Sequence, residues 1–235
     1  MRRYRVRAWW CAAVMIAMGL TATGQVQAQV QAPLAVPVQA GPADKAPKFV
    51  ERMATPALLA QLRQGGYVLY MRHGTTDNSR ADLVPLGDVR DCSRQRVLDE
   101  GGRKLSVQVG RFIRQAGIPV VEVLHSPLCR ARDSAQLAFP DQPGGVRQVD
   151  VLLYTANLTQ AEKQPVLQAT RYWLSEPVAR GSNRVIVAHA PNLADLIGYF
   201  VRPEGTVVVI RPLGQGQFAY VASVPPTLWP TLLSP

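Results

Sequence analysis

Short apolar runs alternate along the chain with segments whose apolar positions recur at helical spacing. Three runs have the pattern of strands buried on both faces: 67–71, 120–124 and 184–188. Helical spacing, or a Pro in the first turn, predicts helices over the segments 56–64, 100–116, 128–137, 160–176 and 191–200. Two later runs, 206–210 and 217–224, are joined by a Gly-rich turn and predict a hairpin at a sheet edge.

Strands that alternate with helices predict a mostly parallel sheet with helices on both faces, a three-layer α/β fold. In such sheets, ligands bind beyond the carboxyl ends of the strands. The first predicted strand ends at Arg72 and His73, the second leads to Ser126 and Arg130, and the third ends at His189. We therefore expect these side chains to meet at one edge of the sheet.

The first residues have the pattern of a secretory signal peptide. Four Arg residues precede an apolar run over 9–22, and small and polar residues follow it. The run is too short to span a bilayer comfortably, and cleavage is expected within 26–28, with Gly24 as a second candidate site. We predict a signal peptide over 1–28 and an exported, periplasmic protein without an integral membrane segment after cleavage. The alternative is an uncleaved N-terminal anchor.

Two further regions follow the predicted signal peptide. Residues 29–48 are rich in Pro, Ala, Gln and Val and show no apolar period, which predicts a flexible tether. We predict that residues 49–235 form one folded domain. The whole chain is 47% hydrophobic and 18% charged, a composition that excludes a disordered protein driven by charge.

The charge balance favours an anionic partner. Lys and Arg outnumber Asp and Glu by 26 to 16, and a positive field attracts phosphates and carboxylates. The Arg residues are dispersed, and no nucleic-acid recognition motif accompanies them. The charge therefore favours a small anion, such as a phosphorylated substrate, over a nucleic acid.

The side chains at the predicted sheet edge suit the chemistry of phosphate. The guanidiniums of Arg72 and Arg130 offer forked donors that match phosphate oxygens. A His in their positive field loses affinity for a proton, so a neutral, nucleophilic imidazole is available near pH 7. Gly74, directly after His73, would let the backbone approach an anion closely.

Cys92 and Cys129 remain after removal of a signal peptide that contains Cys11. An even number of cysteines in an exported chain is compatible with one disulfide. Two small buried side chains that never meet are the alternative. Both positions belong to the same rim of the predicted sheet, since Cys129 precedes Arg130 and Cys92 lies in the long segment that follows the first strand.

Three motifs resemble those of the histidine phosphatase superfamily, which includes phosphoglycerate mutases and many phosphatases. They occur in the family's order, and the similarity covers about residues 66–211. The matching sequences are YMRHGTT over 70–76, HSPLCRARDSA over 125–135 and VAHAPN over 187–192. The resemblance implies a phosphoglycerate mutase-like fold.

The resemblance also implies a role for each matching residue. His73 would attack phosphorus and become a phosphohistidine, which water later hydrolyses. Arg72, Arg130 and His189 would hold the phosphoryl oxygens and stabilise their charge in the transition state, and Thr76 would also bind phosphate. No metal ion or other cofactor is expected, because the arginines neutralise the phosphate and no residues have metal-ligand spacing.

The general acid is the point at which the chain departs from the family. Many members carry a Glu in the region that corresponds to 151–157, where this chain has no carboxylate, and Ala190 stands where the acid-phosphatase branch has an acid. Asp77 and Asp91 are the nearest candidates along the chain, with Asp150 behind them. For each one, a capping or turn role is at least as good an interpretation.

Two functions from different classes follow. The first is an exported phosphatase that hydrolyses phosphomonoesters through a phosphohistidine, on sugar phosphates or on lipopolysaccharide core phosphate. The second is a non-catalytic anion-binding module that has lost its general acid. The missing Glu favours the second function, whereas the intact His73, Arg130 and His189 favour the first. A mutase is less well supported, because mutases of this superfamily act on cytoplasmic metabolites.

Overall fold

The protein is described here from a computed structural model, which covers residues 48–234. The predicted signal peptide, its cleavage site and the tether, apart from its last residue, lie outside the described residues. Within the described part of the chain, no helix is long and apolar enough to cross a membrane.

A six-stranded sheet forms the centre of the domain. Its strands are β1 (Val68–Arg72), β2 (Val120–His125), β3 (Val146–Gln148), β4 (Asn183–Ala188), β5 (Val207–Gly214) and β6 (Gln217–Val224), in the spatial order β3-β2-β4-β1-β5-β6. The first four are parallel to one another, whereas β5 is antiparallel to both of its neighbours, β1 and β6. The mostly parallel sheet and the hairpin at its edge are confirmed.

Helices cover both faces of the sheet. They are α1 (Pro56–Arg63), α2 (Glu100–Gln115), α3 (Cys129–Ala138), α4 (Gln160–Ser175), α5 (Ala190–Ile197) and α6 (Trp229–Leu233). One core joins α1, α2, α3 and α6 to the face that carries Leu69 and Met71. The other joins α4 and α5 to the face that carries Val68 and Tyr70. Because successive residues of a strand point to opposite faces, the apolar β1 serves both cores.

Most predicted elements are present, with small differences at their ends. The helix predicted over 191–200 ends at Ile197, since Gly198 adopts a left-handed conformation (φ 74°) that closes its last turn. The sequence predicts neither β3, which is three residues long and only partly buried, nor α6, which has five residues. Both elements are too short to show a period.

The sheet order brings the three predicted strand ends together. β4 lies between β1 and β2, and its last residues pair with the last residues of both neighbours: Arg72 pairs with Ala188, and His125 with Val187. The segments after these strands therefore begin side by side at one edge.

Gly74 is required by the packing of α2, and its predicted close approach to an anion stays a prediction. A Cβ at this position would collide with the carbonyl oxygen of Gly102 in α2, and a Cβ on Gly102 would collide with the backbone of Thr75. The two glycines let α2 pack directly against the segment that follows His73. The glycine in the motif thus serves the packing of α2 on this segment.

A disulfide bond joins Cys92 to Cys129, which stand 37 positions apart in sequence and have their Cα atoms 5.8 Å apart. Of the two alternatives for these cysteines, the structure thus has the bonded one. Beside the bridge, the Cys129 N–H donates to Oε1 of Gln95 at 2.9 Å. The bond ties the long loop over 77–98, hereafter the Asp82 loop, to the start of α3. Closing a loop of this size stabilises a fold by about 3 to 4 kcal/mol in the chain-entropy model.

Candidate active site

His73 stands at the end of β1 with its backbone fixed on both sides. Its N–H donates to the Ala188 carbonyl at 3.1 Å, and its carbonyl accepts from Gly205 N–H at 3.1 Å. On the ring, Nδ1 lies 2.8 Å from the Gly74 carbonyl. A carbonyl only accepts, so Nδ1 carries the proton and Nε2 of the neutral ring has a free lone pair.

The environment keeps this imidazole neutral. His73 is buried, and burial, followed by the nearby guanidinium of Arg130, holds the pKa of His73 well below its usual value. The pKa of His189 is lowered in the same way and for the same two causes. Both rings are therefore neutral near pH 7, with one proton each, as the sequence predicted for a His in a positive field.

His189 lies beside His73, with the ring centroids 5.4 Å apart. The Tyr70 hydroxyl fixes its backbone, donating to the His189 carbonyl at 2.7 Å and accepting from its N–H at 3.1 Å. The Ser126 hydroxyl accepts from Leu128 N–H and lies 2.8 Å from Nε2 of His189. We assign the tautomer in which this hydroxyl donates to Nε2, so that the neutral ring carries its proton on Nδ1.

Arg130 projects from the first turn of α3 and is fully buried. Its Nη1 and Nη2 donate to Oδ1 and Oδ2 of Asp82 at 2.9 and 3.1 Å. The Tyr154 ring lies 4.9 Å from the guanidinium carbon and packs against His189 as well. Burial lowers the pKa of Arg130, and Asp82 opposes that effect, so the guanidinium stays charged.

Arg72 is held in a similar way. Its Nη1 donates to the Val201 carbonyl at 2.7 Å, and its Nη2 forms an ion pair with Glu204. The ring of Phe200 lies 5.5 Å from its guanidinium carbon. In both arginines, a carboxylate thus pairs with the guanidinium at its Nη end, away from Nε.

Three buried nitrogens at this edge have no hydrogen-bond partner among the described residues: Nε of Arg72, Nε of Arg130 and Nδ1 of His189. We call them the donor cluster. A buried N–H without a partner costs about 1–3 kcal/mol, more if it is charged. Three such donors around one neutral imidazole are suited to a bound oxyanion, whose oxygens would satisfy them. The structure thus brings together Arg72, His73, Arg130 and His189, the four predicted catalytic residues.

Asp77 and Asp91 occupy ordinary turn positions. The Asp77 carboxylate accepts from Ser79 N–H at 2.9 Å, and that of Asp91 accepts from Ser93 N–H at 3.0 Å and from the Ser93 hydroxyl at 2.6 Å. These hydrogen bonds lower the pKa of both carboxyl groups. A general acid needs a carboxyl that keeps its proton, so the structure argues against both candidates. Asp150 is exposed and accepts from Gln148.

Thr76 is buried and pairs through its backbone with Leu98. No contact brings its hydroxyl to the four predicted catalytic residues, all of which lie in the described part of the chain. Its predicted role in binding phosphate stays a prediction.

Four further residues surround the site: Asp82, Arg96, Tyr154 and Glu204. The guanidinium of Arg96 adds to the positive field on both His73 and His189. Tyr154 is placed by Asn192 of α5, whose Nδ2 donates to the Leu153 carbonyl at 2.9 Å. None of the four carries a local signal, because loops bring them to the site from distant parts of the sequence.

Two cavities are lined in part by side chains that contact Arg130: Asp82 and Tyr154 line one, and Tyr154 lines the other. The smaller one, of about 160 Å³, is lined by Asp82, Arg96, Tyr154, Asn157 and Ala81. Tyr154 and Asn157 also line a cavity of about 400 Å³, whose other walls are mainly the apolar residues Val84, Pro85, Leu86, Val89, Leu128, Leu153 and Leu158. Within residues 48–234, no group of three or more His, Cys, Asp or Glu side chains is arranged to hold a metal ion.

Comparison with solved structures identifies the fold. A candidate alpha-ribazole-5'-P phosphatase of Escherichia coli K-12 shares 18% identity, with a TM-score of 0.50 over 68% of this chain and 97% of that chain. The protein histidine phosphatase SixA in complex with tungstate shares 16% identity, with a TM-score of 0.48 over 68% and 97% of the two chains. YhfR of Bacillus stearothermophilus shares 16% identity, with a TM-score of 0.49 over 66% of this chain and 95% of that chain.

No protein-family model matches the chain, and no curated protein matches its sequence. At such low identity, the structural likeness establishes the fold: the chain has the phosphoglycerate mutase-like fold of the histidine phosphatase superfamily. The fold expected from the three motifs is thereby confirmed.

The buried histidines predict how stability depends on pH. The pKa values of His73, His125 and His189 are all lowered, first by burial. Below the ordinary His pKa of about 6.5, the unfolded chain therefore binds protons that the folded chain does not. The free energy of unfolding should fall as the pH drops from about 7.5 to about 5.5, by up to about 1.4 kcal/mol per pH unit for each His below its unfolded pKa.

Urea unfolding at several pH values in this window measures the effect. Carboxylates with lowered pKa values add to the loss only at more acid pH, below about 5. His73→Asn removes one of the three titrating groups and should give a shallower dependence. A stability that is constant or rises as the pH falls would contradict the account of these side chains.

Proposed function

We propose that the protein is a phosphatase that hydrolyses phosphomonoesters through a phosphohistidine on His73. The observation that carries the proposal is the free lone pair of Nε2 in a neutral, buried imidazole beside the donor cluster. An imidazole of this kind is a nucleophile, and the donors would stabilise charge on the phosphoryl oxygens as it develops.

The reaction follows from these positions. Nε2 of His73 attacks phosphorus, and the P–O bond to the leaving group breaks, with its electron pair passing to the leaving oxygen. The donor cluster binds the oxygens that remain on phosphorus. Water then attacks the phosphohistidine, the N–P bond breaks, and its electron pair returns to Nε2. Over the two steps, the proton that this water loses to solvent balances the proton that the leaving oxygen takes up from solvent. Because Nδ1 of His73 donates to the Gly74 carbonyl throughout, the ring keeps its orientation in both steps.

The alternative function is a non-catalytic module that binds phosphate or another anion. A bare lone pair on Nε2 serves no purpose in such a module, because it repels the anion that the neighbouring donors attract. A binding site would gain from a protonated imidazole, whereas the surroundings of His73 favour the neutral form. This arrangement favours the enzyme.

The larger cavity supports an uncharged leaving group. Its lining is mainly apolar, and its one charged side chain, Glu162, is held by the cap of α4, in which Thr159 N–H donates to Oε2 at 2.8 Å. A second phosphate on the substrate would find no cation there. A sugar phosphate, or a phosphate of the lipopolysaccharide core, stays the proposed substrate.

Nucleophilic catalysis by His73 predicts a trapped intermediate. His73→Ala should abolish turnover of a phosphomonoester, and acid-labile, base-stable phosphate should be found on His73 when wild-type protein is quenched during turnover. Mass spectrometry of the digested protein locates the phosphate, and His125→Ala serves as a control for a buried His outside the donor cluster. A His73→Ala variant with more than a few per cent of the wild-type rate would rule out this mechanism.

We also propose that the protein is exported to the periplasm. The bond between Cys92 and Cys129 supports this location, because structural disulfides persist in oxidising compartments. Protein recovered from the periplasm of a Gram-negative host should begin near Gln29, with both cysteines protected from thiol labelling when it is unfolded without reductant. N-terminal sequencing and peptide mass mapping test both points. An intact Met1 in a membrane fraction, or two labelled cysteines, would contradict the proposal.

A further inference from the structure

The Asp82 loop closes on itself and contributes no residue to either hydrophobic core of the described chain. Asp77 N–H donates to the Val97 carbonyl at 3.0 Å. Further along, Leu83 N–H donates to the Arg94 carbonyl at 2.9 Å, so the two halves of the loop lie side by side. Several of its apolar side chains line the cavity of about 400 Å³. The position of the loop therefore depends on other contacts.

Most of those contacts gather at the first turn of α3. The disulfide joins Cys92 of the loop to Cys129, whose N–H donates to the side chain of Gln95. At the next residue of the helix, both Nη atoms of Arg130 donate to the carboxylate of Asp82. The covalent bond and the ion pair of the proposed phosphate-binding arginine are thus neighbours in the structure.

Building on the proposed function, we propose that the bond between Cys92 and Cys129 is a redox switch of the phosphate site. When the bond is closed, it holds Asp82 against Arg130, and Nε of the fixed guanidinium remains for an oxyanion. When the bond is open, the ion pair has to order the loop without a covalent tie, against the conformational entropy of that loop. Arg130 then loses its fixed orientation, and the reduced protein binds phosphate less tightly.

The change concerns preorganisation and not net charge. The segment 77–98 contains four Asp and four Arg residues, so its release leaves the net charge around the site unchanged. It does remove the partner that orients Arg130, and a side chain that must be ordered on binding lowers the affinity. Donors that must reorganise also stabilise a transition state less well than fixed ones. Phosphate affinity and kcat/KM should therefore fall together.

The surroundings of the two sulfurs make the bond reversible. Cys92 is partly exposed and Cys129 is fully buried, so an attacking thiolate reaches Sγ of Cys92 and displaces Cys129 as a thiolate. Cys129 is the first residue of α3, and a helix N-terminus stabilises a thiolate. Nη2 of Arg132 lies 3.2 Å from Sγ of Cys92 and stabilises the second thiolate. A stabilised leaving thiolate departs faster.

The electrons balance between the bond and a thiol or disulfide reagent. When the bond closes, the two thiols give two protons and two electrons to a disulfide such as oxidised glutathione, which becomes two thiols. When it opens, a dithiol returns them and becomes a disulfide. With the export proposed above, the protein is made in the open, weakly active form and becomes active when the bond closes in an oxidising compartment.

The test measures the affinity for inorganic phosphate by calorimetry, and kcat/KM for a phosphomonoester, before and after reduction with dithiothreitol. Reduction should weaken phosphate binding by about 10-fold or more, the order of one charge-assisted hydrogen bond, and oxidised glutathione should restore it. A variant with both Cys92→Ser and Cys129→Ser should behave like the reduced protein with or without reductant. Hydrogen exchange should rise within 77–98 while β1 and β4 stay protected.

Two further variants test whether the switch acts through Asp82. The ratio of the phosphate affinities of the oxidised and reduced forms should fall towards one in Asp82→Ala, whose loop no longer holds Arg130. The same ratio should stay as large as in the wild type in Glu204→Gln, because this change weakens the ion pair of Arg72, which lies outside the loop.

Equal phosphate affinity and equal kcat/KM in the two redox forms would overturn the proposal. Global unfolding on reduction, seen as exchange in β1 and β4, or an undiminished ratio in Asp82→Ala would overturn it as well. If the oxidised protein turns over no phosphomonoester and carries no phosphate on His73, the phosphatase function fails instead. The phosphate affinities of the two forms then still decide whether the switch exists.

Discussion

Two buried or partly buried ion pairs organise this site: Asp82 with Arg130, and Glu204 with Arg72. Asp82 accepts from both Nη atoms of Arg130, whereas Glu204 pairs with Nη2 of Arg72 and the Val201 carbonyl accepts from its Nη1. The Nε atoms, together with Nδ1 of His189, stay without a partner within residues 48–234. A guanidinium has donors at two edges, so one edge fixes the side chain while the other remains for an oxyanion. Preorganised donors of this kind cost no reorganisation when charge develops in a transition state.

The same positive environment determines the state of the nucleophile. An exposed His would be partly protonated near pH 7, but His73 is buried among guanidiniums, which keeps Nε2 unprotonated. The Gly74 carbonyl selects the tautomer in which Nε2 carries the lone pair. The arginines thus have two roles: they attract a phosphate, and they keep the neighbouring imidazole neutral so that it can attack phosphorus.

The sequence reveals the parts of this arrangement that depend on local signals. Apolar runs predict β1, β2 and β4, and the rule that sites lie beyond the carboxyl ends of parallel strands then places Arg72, His73 and His189 at one edge. Arg130 follows β2 closely enough to be placed with them. The order of the strands, with β4 between β1 and β2, explains why these residues meet.

The carboxylates could not be found in the same way. Asp82 lies 48 residues before Arg130, and their contact depends on the path of a long loop. Proximity in sequence favoured Asp77 and Asp91 instead, which turn out to accept hydrogen bonds from Ser79 and Ser93 in local turns. The sequence left the pairing of the cysteines open, yet their disulfide is what ties the Asp82 loop to α3. Contacts between distant segments without a periodic pattern have no signature in a single sequence.

The central claim is that the inner edges of both guanidiniums bind the phosphoryl group while the carboxylates hold the outer edges. A crystal structure of the protein with orthovanadate tests it most directly. The account predicts vanadium bonded to Nε2 of His73, with its oxygens at hydrogen-bonding distance from the donor cluster and Asp82 still paired with Arg130. Vanadate bound to the Nη atoms of Arg130 in place of Asp82, or bound without a bond to His73, would contradict it.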